Sequence, residues 1–389
     1  MTVREDLVVV SLEPWDEVWR RNQHLVAGLL RERPGLHVLF VEPPTDRVHD
    51  LRRGAPLTVG RRLRALGPDD GVPEGRAWAY RPDKWLPRRI APGGDERRSR
   101  RVVALARRLG MQRPVLWVND PAGAVLLDVS GWPALYDITD DWLRAVRRPV
   151  DTVRLSGWED RLLEACAEVV VCSPDLARSK SARRQVTLVP NAVDLAAYRS
   201  PALRPADLPD GECAVYVGTL HADRLDLEAS VRLAAHLQHH DARLVFVGPV
   251  LLDPLDVTRL EAAGAVLLGA RPAYQVPAYL QHASVLVVPH VVDDFTESLD
   301  PIKLYEYLAV GRPVISTPVA GFRDRGAGRV VTTSPAAMPQ AALRTIEAAR
   351  RGSVPPVAEL DLPTWADRVQ EMAEVLTRVR SGEAVPTRR

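Results

Sequence analysis

Lysine is almost missing from this chain: of 52 basic residues only Lys84, Lys180 and Lys303 are lysines, the rest being arginines. The skew reads as genome composition, and it makes each remaining lysine worth locating. Cysteine is equally scarce. Cys166, Cys172 and Cys213 form no Cys-x-x-Cys pair, and an odd count argues against a disulfide framework and for a reducing cytoplasm. No stretch approaches the ~18 apolar residues of a membrane span. The first apolar run, Leu7 to Val10, is too short for a leader and reads as a strand. A cytoplasmic protein, at most peripheral to the inner face of a membrane, is expected. Nor is there an excess of one charge: 52 basic against 50 acidic residues leave +2, which excludes a dedicated nucleic-acid binder and makes any phosphate binding local. No metal or cofactor is expected, because His236, His239 and His240 end a helix with no carboxylate or cysteine to complete a ligand set. No tandem repeat of solenoid period is present.

What the chain does contain is alternation. Its 389 residues exceed one ordinary core, so two domains are expected. Short β-branched runs (7–10, 37–41, 115–118, 134–136, 168–172, 186–190) are interleaved with amphipathic stretches near 18–31 and 159–167. Strand-helix-strand repetition means a parallel sheet covered on both faces. A Pro- and Asp-rich stretch follows, and then a second alternation with strands expected at 214–218, 243–248, 265–269, 284–289 and 313–316 and a helix at 226–239. The expected division is a first Rossmann-like domain over 1–195, a linker over 196–211, a second Rossmann-like domain over 212–360, a terminal helix within 361–380 and a frayed tail over 381–389.

The segment Thr296 to Thr317 carries the chemistry. Asp300 is an apt N-cap, Pro301 suits the first helical position, and Gly311 can take the left-handed C-terminal cap, which sets a helix at about 301–310. A helix N-terminus at the carboxyl end of a parallel sheet offers unpaired N–H groups and partial positive charge to a diphosphate. Lys303 adds a full charge in the first turn, and Glu306 follows one turn later on the same face, where a carboxylate can accept ribose hydroxyls. The competing reading is an exposed ion pair worth a few tenths of a kcal/mol. A lysine standing here in an arginine-rich chain argues against it.

The run Pro-Ile-Lys-Leu-Tyr-Glu-Tyr-Leu-Ala-Val-Gly-Arg-Pro-Val-Ile-Ser-Thr (301–317) resembles the donor-binding segment of GT-B-fold glycosyltransferases, the family 4 group and its teichuronic-acid-type relatives. Supporting pieces are Val171-Cys-Ser-Pro174, Val189-Pro-Asn-Ala-Val-Asp194, Tyr216-Val-Gly218, Phe246-Val-Gly-Pro249 and Leu268-Gly-Ala-Arg271. The resemblance implies an α/β GT-B fold, two Rossmann-like domains facing each other across an interdomain cleft, and metal-independent, retaining transfer from a nucleotide-diphosphate sugar. It implies a ribose role for Glu306. It also puts Lys303 at the diphosphate with the backbone around Pro301, flanked by Leu299 and Ile302, and makes Gly218, Thr219 and Leu220 a phosphate-side loop. Arg271 and Tyr274 would border the base. The family's first motif glutamate falls on Ser298, with Glu297 one position off, and Arg224 stands near where a diphosphate-binding arginine is usual.

Eight of nine tryptophans (Trp15, Trp19, Trp78, Trp85, Trp117, Trp132, Trp142 and Trp158) lie in the first half, and Trp15 and Trp142 follow strands, so both are acceptor-binding candidates. Asp16, His24, Asp120 and Asp140 are the acid–base candidates, should a protein base be needed. The expected acceptor is a small molecule, a saccharide or a lipid-linked group. The arginine-rich stretch 97–109 would suit peripheral membrane contact, although a solvated surface helix accounts for it more simply. Two other readings keep the same donor site: a GT-B nucleotide-sugar epimerase, and a non-catalytic GT-B binding or activating partner. A nicotinamide dehydrogenase is disfavoured because no Gly-x-Gly-x-x-Gly follows the first strand.

Overall fold

The computed structural model describes residues 4–46, 63–84, 93–145, 148–325, 329–351 and 360–382. Trp85 and the tail beyond residue 382 lie outside them. The chain divides into two compact units: one runs to Pro190 and resumes at Ala366, the other is Asn191–Trp365.

The first unit is built on the strands β1 (Glu5–Val10), β2 (Leu36–Val41), β3 (Leu63–Leu66), β4 (Ala77–Tyr80), β5 (Val115–Val118), β6 (Ala134–Ile138), β7 (Glu168–Val171) and β8 (Thr187–Leu188). They form one sheet in the order β8-β7-β6-β5-β1-β2-β4-β3. All neighbours are parallel except β3, which runs antiparallel to β4 at the edge. The central strands are largely apolar, as strands covered by helices on both faces must be; Leu7–Val10 and Val115–Val118 are unbroken runs, whereas β2 carries His37 and β6 carries Asp137. The helices are α1 (Arg21–Glu32), α2 (Gly94–Arg108), α3 (Ala124–Ser130), α4 (Pro149–Ala165) and α5 (Pro174–Ser181). Two helices differ from expectation for local reasons. α1 starts at residue 21 because the Gln23 side chain accepts the Arg20 N–H at 3.0 Å and fixes the first turn there. α4 starts ten residues ahead of the expected 159, at Pro149, a residue preorganised for a first turn.

Beneath the carboxyl edge of this sheet lies a buried polar layer. Arg21 spans both oxygens of Asp137 (3.2 and 3.3 Å), Trp117 Nε1 donates to the same carboxylate at 3.3 Å, and Asn22 donates to Ser11 Oγ (3.0 Å) and Asn119 Oδ1 (2.8 Å). A buried charge in this setting survives by being paired and hydrogen-bonded.

The second unit opens with α6 (Leu195–Arg199), which overlaps the start of the stretch expected as a linker; Asp194 caps it by accepting the Ala197 N–H at 3.1 Å. The strands β9 (Glu212–Val217), β10 (Ala242–Val247), β11 (Val266–Gly269), β12 (Val285–Val288), β13 (Val314–Ser316) and β14 (Val330–Thr332) form an all-parallel sheet in the order β11-β10-β9-β12-β13-β14. The helices are α7 (Leu227–Gln238), α8 (Pro254–Ala262), α9 (Val276–Gln281), α10 (Ile302–Val310), α11 (Phe322–Arg325) and α12 (Met338–Arg350). Tyr216, Phe246 and Leu233 centre the core on one face, and Val215, Leu286 and Tyr307 the core on the other.

The last helix, α13 (Trp365–Ser381), leaves the second unit and packs in the first. Gly28 makes room for it on α1: a Cβ there would fall 2.3 Å from Val369 Cγ2. Arg378 pairs with Glu168 at 2.8 Å, and Arg380 with Glu5, at the far end of the same helix. Among the described residues no helix is long and apolar enough to cross a membrane.

Candidate functional site

The site gathers in the second unit where β9, β12 and α10 meet. Gly311 closes α10 in the left-handed conformation (φ 74°), accepted freely by a residue without Cβ. The other end departs from expectation. Asp300 does not cap the helix: its carboxylate accepts the Asn191 N–H at 2.6 Å and the Tyr305 hydroxyl at 2.9 Å. Pro301 holds the N-cap position instead and makes no side-chain cap hydrogen bond. The uncapped start is what an anion-binding helix end requires.

Lys303, in that turn, donates to the Tyr216 hydroxyl at 2.7 Å, and its Nζ lies 4.1 Å from the centre of the Tyr216 ring. The same hydroxyl lies 2.9 Å from His290 Nε2. Among the described residues no carboxylate stands within ion-pair distance of Lys303 Nζ. Gly218 (φ 141°) supplies the space: a Cβ there would lie 2.8 Å from that Nζ. Burial, with the Arg224 charge added, pulls the Lys303 pKa down to about 7, against the smaller opposing pull of Glu306. Burial, then Lys303, then Arg224 hold His290 well below its usual pKa, so its ring is neutral. Arg224 therefore belongs to the same electrostatic cluster. Its carbonyl accepts the Val291 N–H at 2.8 Å, and its guanidinium lies 5.4 Å from the Phe295 ring.

Glu306, one turn along, accepts the hydroxyl of Tyr198 from α6; burial raises the carboxylate's pKa, partly offset by that bond and by Lys303. Tyr307, one turn on from Lys303 along α10, accepts the Val217 N–H at 2.9 Å and ties the helix to the end of β9. The loop Gly218-Thr219-Leu220 lies against the end of β10. Leu220 N donates to Pro249 O at 2.9 Å, and Leu220's side chain is buried core, so this residue offers the site backbone alone.

The remaining donor candidates are dispersed. Ser298 is buried and donates to Phe295 O at 2.7 Å, closing the 3-10 turn Thr296–Ser298 that precedes Leu299. Glu297 is engaged by both terminal nitrogens of Arg323, at 2.8 and 2.9 Å. Arg271 follows β11, two strands from β9, and is bound to Asp207 and Tyr279. Tyr274 is 79% exposed.

In the first unit, Trp15 is 4% exposed, edge-on to Phe40 at 5.0 Å, with Nε1 donating to Asp70 O at 3.3 Å. Its faces are packed in the core, which removes it as an open stacking platform. His24 packs on Trp19 (5.1 Å), and burial lowers its pKa to about 3, which makes it a poor base near neutrality. Asp16 accepts from Val18 N (3.0 Å) and Arg20 (3.2 Å), turning its loop back on itself. Asp120 caps a 3-10 turn by accepting the Ala122 N–H at 2.9 Å and lines a cavity of about 100 Å³ with Ser11, Glu42 and Arg98. Asp140 accepts from Thr139 Oγ1 at 3.2 Å, and Trp142 is partly buried in the following turn. Neighbouring Asp141 is locked to buried Lys180 at 3.2 Å, which also binds Glu159 at 2.7 Å.

Tyr216, His290 and Tyr198 escaped sequence reading. His290 had one signal, its place two residues past the end of a strand, and Tyr216 lies inside the quoted Tyr-Val-Gly run. Tyr198 had none, since nothing local links α6 to α10.

Residues 212–348 match the family described as Glycosyl transferases group 1. The chain is 24% identical over 227 residues to the putative teichuronic acid biosynthesis glycosyltransferase TuaH of Bacillus subtilis, a match over 53% of this chain and 56% of that protein. The match thus spans little more than half the length of that relative. Among solved structures, sucrose-phosphate synthase of Thermosynechococcus elongatus superposes with a TM-score of 0.66 at 18% identity, over 97% of this chain and all of that one. Anabaena HepE in complex with UDP superposes with a TM-score of 0.54 at 13% identity, over 97% of each chain. The stretch that holds Gly218, Arg224, His290, Lys303 and Glu306 is thus a glycosyl transferases group 1 domain, in a chain with the two Rossmann-like units of the GT-B fold.

Proposed function

We propose that this protein is a glycosyltransferase that moves a sugar from a nucleoside-diphosphate sugar to an acceptor hydroxyl or other nucleophile, without a metal and with retention at the anomeric carbon. One observation carries the reading: an ammonium that has no carboxylate partner among the described residues opens α10, beside Gly218 and near Arg224, with Glu306 one turn further on. When the bond from the sugar to the diphosphate breaks, negative charge grows on the leaving oxygens. Lys303, Arg224 and the uncapped helix start are preorganised to stabilise it, and Glu306 faces the ribose. The name of the Bacillus relative supports a saccharide-type acceptor. A cytoplasmic location, with at most peripheral membrane contact, belongs to the same proposal and is supported by Cys166, Cys172 and Cys213, all buried and none in a disulfide.

A thermal-shift panel of UDP, GDP, ADP and dTDP with their sugars tests it. At least one ligand is expected to raise the unfolding midpoint, since a ligand that binds the native state alone stabilises it. If none does, the donor site is refuted. A second reading, a GT-B chain that binds a nucleotide sugar without transferring it, draws on the engagement of both residues near the first-glutamate position, Ser298 within its turn and Glu297 with Arg323. Hydrolysis or transfer of the stabilising sugar nucleotide separates the two.

A further inference from the structure

Lys303 is held in an unusual way for a part-buried cation. Its neighbours from every packed element are Tyr216 on β9, Arg224 after β9, His290 after β12 and Glu306 on its own helix; the carboxylate of Glu306 is turned to Tyr198. The atom that fixes the ammonium is the phenol oxygen, 2.7 Å away. That oxygen accepts from Lys303, which leaves its own proton for His290 Nε2 at 2.9 Å; the neutral ring accepts it as the tautomer that carries its proton on Nδ1. The result is a directed chain from Lys303 N–H through Tyr216 O–H to His290. Both supports are rigid: the Tyr216 ring packs edge-on to Phe246 at 5.6 Å, and Thr317 holds the His290 backbone on both sides, accepting its N–H at 3.2 Å and donating to its carbonyl at 2.7 Å.

We propose that Tyr216 and His290 are positioning residues for Lys303: the phenol holds the ammonium as a neutral acceptor, so that its charge is kept for the incoming diphosphate. A carboxylate in the same place would hold the lysine as well but would cancel that charge and repel the ligand. The inference rests on the reading of this site as a nucleoside-diphosphate site. It has a chemical consequence. Beside Arg224, neutral His290 and the phenol, and with only the weaker pull of Glu306 in its favour, Lys303 gains an anion in direct contact when the diphosphate arrives, and the bound state favours the protonated amine more than the free state does. Binding therefore takes up a proton, and affinity falls as pH rises above about 7.

The test is calorimetric titration with UDP, GDP and ADP in two buffers of different ionisation enthalpy. At about pH 8 the terminal phosphate of the ligand is already ionised, so the proton taken up, close to one per binding event, reports on the protein. Tyr216→Phe keeps the ring and removes the acceptor; affinity at neutral pH is expected to fall about tenfold, the loss typical of a hydrogen bond to a charged group. Its pH midpoint should move to lower pH, because the ammonium has lost its acceptor. His290→Leu should follow it, whereas His290→Gln, which retains an acceptor for the phenol, should recover most of the affinity. Lys303→Arg should remove the pH dependence, since guanidinium does not titrate in this range. Wild type that binds a diphosphate with no proton uptake, or Tyr216→Phe and His290→Leu that bind with unchanged affinity and pH profile, would overturn the inference and leave the donor site standing. Failure of the wild type to bind any of the three diphosphates would remove both.

Discussion

Replacing Lys303 with Met should make the ligand-free protein more stable at neutral pH and abolish its stabilisation by nucleotide. The sign follows from burial, chiefly, and from Arg224, which lower the Lys303 pKa from its ordinary 10.5 to about 7. Between those two values the unfolded chain binds more protons at this residue than the folded one, so the penalty is full below about pH 7 and is relieved as pH rises toward 10.5. Melting curves of both proteins from pH 6 to pH 10 check this: the advantage of the variant should shrink with rising pH. Glu306→Ala should weaken nucleotide binding by roughly tenfold, the scale of a hydrogen bond to a charged group. Glu297→Ala should change that binding little, because its carboxylate serves an exposed pair with Arg323, of a kind worth 0–1 kcal/mol or so. A large loss of nucleotide affinity in Glu297→Ala would return that residue to the donor site. Lys303 and Glu306 were legible in the sequence because their spacing on one helix is local information. Tyr216, His290 and Tyr198 reach the same place from elsewhere in the chain, and a spacing rule does not see them.

At the scale of elements, Gly28 is the tightest joint of the first unit. Gly28→Ala drives a methyl to 2.3 Å from Val369 on α13, and overpacking of this kind costs about 1–3 kcal/mol. A drop in the melting midpoint is expected, with partial recovery in the Gly28→Ala, Val369→Ala double variant; strict additivity of the two losses would show that the helices adjust without strain. Most strands were readable because a doubly covered parallel sheet makes them apolar runs bounded by turns; Leu63–Leu66, Ala77–Tyr80 and Val330–Thr332, short strands on the outer side of their sheets, were not expected. Helix starts were less so. Asp300 has the right side chain for a cap, yet Asn191 N and the Tyr305 hydroxyl claim its carboxylate, and no local rule tells which acceptor position a tertiary donor will occupy. Trp15 shows the same limit in the other unit: its place after β1 suited a ligand platform, but Phe40 and the backbone at Asp70 draw it into the core.

For the whole molecule, two units with separate cores predict two unfolding steps, of which a nucleotide should raise one. The ligand contacts proposed here all lie within 198–306, inside the second unit. At a ligand concentration of about 100 Kd that unit gains about 2.7 kcal/mol. Scanning calorimetry with and without the nucleotide reads this directly; equal displacement of both steps would show that the units unfold as one. The division also bears on how the chain comes to be made. Residues 191–365 are complete on the ribosome before α13 exists, yet α13 belongs to the unit whose strands were synthesised first. The usual order, in which the amino-terminal domain finishes folding first, therefore cannot include its last helix, which is synthesised only after residues 191–365. Until then the α1 face around Gly28 lacks the helix that packs on it, whereas every residue of the second unit is already present.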